Sequence, residues 1–227
     1  MGNEPRSNNS GLVRDIIIGM SDGLTVPFAL TAGLSGVLST NHLIIVSGLS
    51  EIAAGCISMG LGGYLAGESE IEHYDKELKR EFSEIEQVPE SELKEVQDIL
   101  ANLGVEESLS GQVALQISKD KNRWAEFMMK LELNMEKPEQ NRAAKSAIAI
   151  ALSYLVGGFI PLFPYIVFKH STEGFYASCG ITILALIFFG YFKSKVTGVP
   201  LIKGTVKVAM TGVIAAAAAY LLAKAVS

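Results

Sequence analysis

The stretch GMSDGLTVPFALTAGLSG, residues 19–36, lies in an apolar run from Ile16 to Leu38 that is long enough to cross a lipid bilayer. A hydrocarbon core about 30 Å thick requires roughly 20 apolar residues in one helix. The run nevertheless contains a carboxylate, Asp22, and a helix-disrupting proline, Pro27. An ionisable residue at the centre of a span costs about 2.5–3.5 kcal/mol on insertion scales and normally faces a protein interior or a water-filled path. The stretch therefore predicts a membrane helix that carries a polar site.

The residues around Asp22 favour cation binding. Pro27 has no N–H to donate to the carbonyl of Gly23, so a backbone oxygen is freed one residue from the carboxylate. Carboxylate and carbonyl oxygens are both hard ligands for cations. A structural alternative stays open, in which Asp22 is hydrogen-bonded to a Ser or Thr of a neighbouring helix. Small residues would let such a helix approach closely, and the stretch contains Gly19, Gly23, Gly33 and Gly36.

Four further apolar runs are long enough to be membrane spans. The chain of 227 residues is 49% hydrophobic, with a mean hydropathy of +0.32, which is too apolar for an ordinary soluble domain. Lys203 and Lys207 enter the last run, where their long side chains can extend to the headgroups. The four runs are residues 43–65, 147–168, 175–192 and 201–222.

A strongly acidic segment separates the second run from the third. Residues 68–142 hold 19 acidic and 10 basic residues, whereas the rest of the chain has a net charge of +4. Within this segment, apolar residues recur at helical spacing in three stretches. The first continues the second span, the second begins at Pro89 and ends near Gly104, and the third runs from Ser110 to Pro138.

The predicted fold is therefore an all-α, polytopic membrane protein with five transmembrane helices and a three-helix cytosolic insert. We divide it into residues 1–67 (N-terminal tail and first two spans), 68–138 (acidic insert) and 139–227 (last three spans). A cytosolic N-terminus places 17 of the 19 Lys and Arg residues, Arg6 among them, on the cytosolic side. The five spans then leave the C-terminus on the opposite side.

The second span carries its own candidate ligands. Glu51 is its only acid, and Met59 follows two helical turns later. Carboxylates together with a soft thioether suit a borderline transition metal better than Mg²⁺ or Ca²⁺. A structural acid and an apolar core methionine are the alternatives.

Pairs of glutamates recur along the insert at spacings that share one helix face. Three such faces meeting would collect carboxylates that repel one another unless a cation bridges them, as in bundle metal sites. The alternative is a solvated acidic surface. None of the glutamates in these pairs begins a Glu-x-x-His motif of the kind found in di-iron bundles. The pairs are Glu81 and Glu84, Glu92 and Glu95, and Glu132 and Glu136, with Met128 and Met129 one turn before Glu132.

Two long motifs resemble a known family. SDGLTVPFALTAGLSG in the first span, and EIAAGCISMGLGGYLAGESE from the second span into the insert, are similar to the vacuolar iron transporter family, plant type. The resemblance covers nearly the whole chain. It implies a homodimer in the vacuole membrane that moves Fe²⁺, and often Mn²⁺, out of the cytosol in exchange for protons.

The resemblance also implies roles for individual residues. Asp22 and Met59 match translocation-path residues, and Glu51 matches the other membrane acid. The insert residues that match the family's cytosolic metal-binding domain are Glu81, Glu84, Glu92, Glu95, Glu132, Met128 and Met129.

Fe²⁺ is thus expected as cargo, with no tightly bound cofactor and no enzymatic activity. Divalent metal ions, protons, membrane lipid and a second copy of the chain are the expected partners. No nucleic-acid or nucleotide-binding motif is seen in the sequence. Two alternatives are a membrane-anchored ferroxidase, which would need a histidine at the glutamate cluster, and a metal-sensing scaffold, which would need neither Asp22 nor Pro27.

Overall fold

The computed structural model describes residues 8–139 and 141–226, and Arg6 lies outside them. The fold is all-α, with 87% helix and no strand among the described residues. Its helices are α1 (Asn8–Ser35), α2 (Asn41–Gln87), α3 (Pro89–Asn102), α4 (Glu107–Ile117), α5 (Lys121–Leu131), α6 (Arg142–Val167), α7 (Ser171–Thr197) and α8 (Leu201–Val226).

Five of these helices are long and apolar enough to cross a membrane, as predicted. They are α1, α2, α6, α7 and α8, and each covers most or all of one predicted run. Helix α1 ends three residues before the end of its run, and α6 ends one residue before the end of its run. The apolar run of 18 residues in α7 lies within a helix of 27 residues. The chain is a multi-pass membrane protein by the length and composition of these helices.

Helix α2 is continuous from the predicted second span into the acidic segment. Its 47 residues correspond to about 70 Å, more than twice the thickness of a hydrocarbon core. The chain separates into two compact units, and α2 contributes to both. One unit contains Met1–Leu65 and Ala143–Ser227, and the other contains Ala66–Arg142.

In the first unit, glycines bring α1 into backbone contact with α6. A Cβ on Gly23 would lie 2.8 Å from the Cα of Tyr154, and one on Gly157 would lie 3.0 Å from the carbonyl carbon of Gly23. Gly33 similarly faces the backbone of Ala219 on α8. The close helix approach predicted from the glycines of the first span is confirmed, and it fixes the backbone that carries Asp22.

Polar groups tie the opposite end of α1 to the end of α6. The Tyr165 hydroxyl lies 2.8 Å from Ser35 Oγ. Asn41, at the start of α2, donates through Nδ2 to the carbonyls of Phe168 (2.6 Å) and Tyr165 (3.1 Å). Because Asn41 uses free carbonyls at the end of α6, it stabilises the turn between the first two spans.

The second unit packs around an apolar core. Ile85 of α2, Val96 and Leu100 of α3, Ala114 of α4, and Trp124, Ala125 and Met128 of α5 are its buried members. Helix α3 begins at Pro89, as predicted, because proline suits the first helical turn. Apolar residues of all three predicted stretches, among them Leu78, Leu93 and Val113, pack against this core, whereas Leu131 is exposed.

The predicted third helix of the insert is wrong. It is two helices, α4 and α5, separated at Ser118 to Asp120. Asp120 accepts hydrogen bonds from the backbone N–H groups of Asn122 (3.0 Å) and Arg123 (3.3 Å), so it caps a new helix. Helix α5 also ends at Leu131, well before the predicted end at Pro138.

The α1–α6 contact predicts that Gly23→Ala lowers the thermal stability of the purified protein. The added methyl group would meet backbone atoms of Tyr154 at 2.8 and 2.9 Å, which cannot be relieved by a side-chain rotation. Overpacking of this kind costs about 1–3 kcal/mol. The midpoint of thermal unfolding in detergent, followed by size-exclusion chromatography, measures the effect.

Gly180→Ala is the matched control. Among the described residues, no atom outside the neighbouring backbone of α7 lies within 4 Å of a Cβ built at Gly180, so the same substitution should leave the midpoint unchanged or raise it slightly. Equal midpoints for the two variants would contradict the proposed backbone contact.

Candidate functional site: two groups of carboxylates

The membrane unit brings the acids of the first two spans to one tyrosine. Asp22 of α1 and Glu51 of α2 are both half-buried, and Tyr154 of α6 is 2% exposed. The Tyr154 hydroxyl donates to Glu51 Oε1 and also lies within electrostatic range of Asp22. A Cβ on Gly55 would overlap the Tyr154 ring, so this glycine leaves the room that the ring needs.

One oxygen of Glu51 is left without a partner. Oε2 is buried and has no hydrogen-bond partner within the described part of the chain. A buried acceptor without a donor is costly, and a cation or a proton would satisfy it. The arrangement of Asp22, Glu51 and Tyr154 can therefore bind a cation or take up a proton.

Met59 lies on the same helix as Glu51. It is half-buried, about two helical turns or 12 Å along the axis of α2 from Glu51. The thioether is therefore not directly beside the Glu51 carboxylate. Sequence reasoning did not identify Tyr154, although its phenol hydroxyl is a polar group in a span without charged residues.

The second unit brings three of the predicted glutamates together. One carboxylate oxygen from each of Glu81, Glu84 and Glu92 lies within 4.8 Å of the others. Glu81 is 1% exposed and Glu92 is 4% exposed. We call these three residues the carboxylate cluster. It joins α2 to α3, because α2 supplies the first two side chains and α3 supplies the third.

Glu95 and Glu132 lie at the edge of the cluster. The negative charge of Glu132 acts on Glu81, and that of Glu95 acts on Glu92. Glu95 is half-buried, whereas Glu132 is exposed at the C-terminal cap of α5. The charges of Glu95 and Glu132 therefore act on the cluster and on each other.

Glu81 and Glu92 of the carboxylate cluster have strongly raised pKa values. Burial, with the charges of Glu132 and Glu84 adding to it, raises the pKa of Glu81 from its ordinary value of 4.5 to about 7. Burial, together with Glu95 and other neighbouring carboxylates, raises the pKa of Glu92 to about 7. Partial desolvation of its carboxylate, with the charge of Glu95 adding to it, also raises the pKa of Glu132. The main cause in each case is the loss of solvation of a carboxylate charge, and the negative charges of neighbouring carboxylates add to it.

Three oxygens of the cluster lack hydrogen bonds. Both carboxylate oxygens of Glu81 and Oε2 of Glu92 are buried without a hydrogen-bond partner among the described residues. Buried carboxylates are normally neutralised, paired or bound to a metal. Three oxygen ligands of this kind fit a divalent cation.

A basic residue that sequence reasoning missed lies against the cluster. The Arg80 guanidinium forms ion pairs with Glu77, Glu81 and Glu84. The only signal in the sequence was the spacing of Glu77, Arg80 and Glu84 at i, i+3 and i+7 on one helix.

The methionines and Glu136 differ from the arrangement expected at a metal site. Met128 is fully buried in the apolar core beside Trp124 and Ala125, and Met129 is also buried. Glu136 is exposed and follows the end of α5. The predicted i, i+4 face of Glu132 and Glu136 is therefore wrong, because the helix that would form it has already ended.

The fold and the two groups of carboxylates define a multi-pass membrane protein with a candidate cation-binding insert. A sequence profile described as the VIT family matches residues 13–224. The chain belongs to this family, which confirms the resemblance seen in the sequence.

Curated relatives match over most of the chain. Vacuolar iron transporter 1 of Arabidopsis thaliana is 50% identical over 215 residues, which cover 95% of this chain and 86% of the relative. Vacuolar iron transporter 1 of Tulipa gesneriana is also 50% identical over 215 residues, covering 95% and 87%. Protein CCC1 of Saccharomyces cerevisiae is 38% identical over 190 residues, covering 82% and 58%. The plant relatives are named as transporters, which places this chain among transporters and not among enzymes.

The raised pKa values predict that the metal-free insert is less stable at pH 8 than at pH 5. Between pH 4.5 and 7 the folded state holds protons on Glu81 and Glu92 that the unfolded state has released. Stability is therefore fully present below the unfolded pKa and is lost as the pH rises through about 7. Each pKa unit corresponds to about 1.4 kcal/mol.

Trp124 provides the measurement, because it is the only tryptophan of the chain and lies in the core of the insert. Urea unfolding of the full-length protein in detergent, followed by its emission, reports on this unit. Glu81→Gln should reduce the pH dependence. Glu86→Gln should preserve it, because Lys121 lowers the pKa of the exposed Glu86 carboxyl. If the unfolding of the wild-type insert did not depend on pH, the raised pKa values of Glu81 and Glu92 would be contradicted.

Proposed function

We propose that the protein carries Fe²⁺ from the cytosol into the vacuole in exchange for protons, and that Mn²⁺ or other divalent transition metals can replace Fe²⁺. The main support is the unpartnered carboxylate oxygen of Glu51, held beside Tyr154 and Asp22 within membrane spans. The names of the plant relatives supply the metal and the compartment.

In this proposal, the insert captures the metal. Residues 68–138 form a cytosolic metal-binding domain whose negative field raises the local concentration of cations. Glu81, Glu84 and Glu92 hold the ion, and Glu95 and Glu132 lie close enough to join them. Met129 and Glu136 have weaker support as ligands, and the core position of Met128 favours a packing role.

The membrane acids then translocate the metal. Asp22, Glu51 and Met59 bind the ion on its path through the spans. Tyr154 orients Glu51 through its hydrogen bond and leaves Oε2 of that carboxylate available to the cargo.

Proton exchange follows from competition for the same oxygens. A carboxylate must be deprotonated to bind metal, so metal affinity falls as protons become more abundant. On the acidic luminal side, protons displace the metal from Asp22 and Glu51. On the cytosolic side, near neutral pH, the metal displaces the protons. The exchange requires no nucleotide.

We also propose the orientation and the assembly. The N-terminus and the insert face the cytosol, the C-terminus faces the lumen, and two copies form a homodimer in the vacuole membrane. The distribution of Lys and Arg supports the orientation.

A ferroxidase has less support than a transporter. The insert has one histidine, His73, whose Nδ1 lies 3.9 Å from Glu77, a residue outside the carboxylate cluster. A metal-sensing scaffold would leave the membrane acids and the Tyr154 hydrogen bond without a role.

Transport into vesicles with an acidic lumen tests the membrane site. Asp22→Asn should lower the initial rate of Fe²⁺ uptake at least about tenfold, because the amide cannot exchange a proton for the metal. Proton efflux measured in the same vesicles should fall in parallel.

Glu173→Gln is the control, since Glu173 is an exposed acid in the first turn of α7. It should retain the wild-type rate. Normal, proton-coupled uptake by Asp22→Asn would refute the proposed exchange at this carboxylate.

The capture role predicts a different phenotype for the insert. Replacing Glu81 and Glu84 together by Gln should weaken the apparent affinity for Fe²⁺ severalfold or more, because two cluster ligands are lost. Uptake at saturating Fe²⁺ should persist, since Asp22 and Glu51 are intact. Unchanged concentration dependence of uptake would argue against capture by the insert.

A further inference from the structure

The Arg80 side chain touches three carboxylates at once. Its Nη1 lies 2.9 Å from Oε2 of Glu77, its Nη2 lies 3.5 Å from Oε1 of Glu81, and its Nε lies 3.4 Å from Oε2 of Glu84. Each guanidinium nitrogen therefore faces a different acid. Two of these acids belong to the carboxylate cluster, whereas Glu77 does not.

A metal ion and the guanidinium would compete at this position. Both are cations, and both attract the oxygens of Glu81 and Glu84. An ion held among Glu81, Glu84 and Glu92 would lie close to Arg80, and like charges repel strongly in a partly buried site. The metal-bound state thus favours withdrawal of the guanidinium.

Glu77 gives the guanidinium an alternative partner. The Arg80–Glu77 contact is the shortest of the three, and it joins residues one turn apart on α2. The Arg80 side chain is 48% exposed, so it has room to turn towards solvent while it keeps this contact. Arginine is long and flexible enough to exchange partners without movement of the helix.

We propose that Arg80 is a displaceable counter-ion of the carboxylate cluster. Without metal it pairs with Glu81 and Glu84 and reduces their mutual repulsion. When a divalent transition metal binds, it withdraws to Glu77. This role rests on the proposed capture of metal by the insert. Arg80 would limit the affinity of the carboxylate cluster for the metal, so that captured metal can be released again.

Binding of Mn²⁺ to the full-length protein in detergent tests this role. Free Mn²⁺ is measured by electron paramagnetic resonance, and the insert-dependent part is the binding that is lost when Glu81 and Glu84 are both replaced by Gln. Arg80→Gln should tighten this binding about tenfold, as for a typical coupling between two ligands. Lys79→Gln, the same charge change at an exposed neighbouring position, should change it less than about twofold.

Glu77→Gln provides the second arm. Without its alternative partner, Arg80 stays on Glu81 and Glu84, so Mn²⁺ binding should weaken severalfold although Glu77 is not a ligand. In the Arg80→Gln background the same substitution should have no effect. An equal loss in both backgrounds would show that Glu77 acts through its own charge and would overturn the exchange.

The outcomes separate this inference from the capture role. If the wild type shows insert-dependent Mn²⁺ binding and Arg80→Gln leaves this binding unchanged or weakens it, only the counter-ion role is overturned. No insert-dependent binding in either protein overturns capture by the insert, and this inference with it. Trp124 emission reports whether each variant is folded. If Arg80→Gln does not fold, Arg80→Lys replaces it, and severalfold tighter binding is expected because lysine lacks the planar fork.

Discussion

The cost of a carboxylate charge in a dry environment governs both units of this protein. In the membrane unit, Glu51 receives one hydrogen bond from Tyr154, and its second oxygen has no partner in the described chain. In the insert, burial and neighbouring acids raise the pKa values of Glu81 and Glu92 to about 7. A group in this condition readily exchanges a proton for a metal ion, since either one neutralises it. The cost of a buried carboxylate charge thus recurs in the membrane unit and in the insert.

The membrane part of the fold was largely predictable from the sequence, because a bilayer requires long apolar helices and leaves few alternatives. The fold of the insert was less predictable. Helices α2 and α3 follow their apolar pattern and Pro89, but the break before α5 depends on one capping side chain, Asp120. Apolar periodicity continues across such a break, so the pattern alone concealed it.

The candidate sites were predictable only as sets of acids. Spacing places Glu81 and Glu84 on one helix face, yet it does not say that Glu92 of another helix completes the cluster. Tyr154 and Arg80 were missed for the same reason, since each acquires its meaning from contacts formed in the folded chain. Glu136 shows the converse error, because a spacing has no meaning once the helix has ended.

The contact of Gly23 with Gly157 constrains how the membrane unit can move. Where two backbones touch without side chains between them, no change of rotamer can fill a gap, so separating the helices would lose the contact outright. We therefore expect α1 and α6 to remain paired when the membrane unit changes conformation. Larger displacements would then occur at the other helices, and Asp22 and Tyr154, which this pair carries, would stay close to each other.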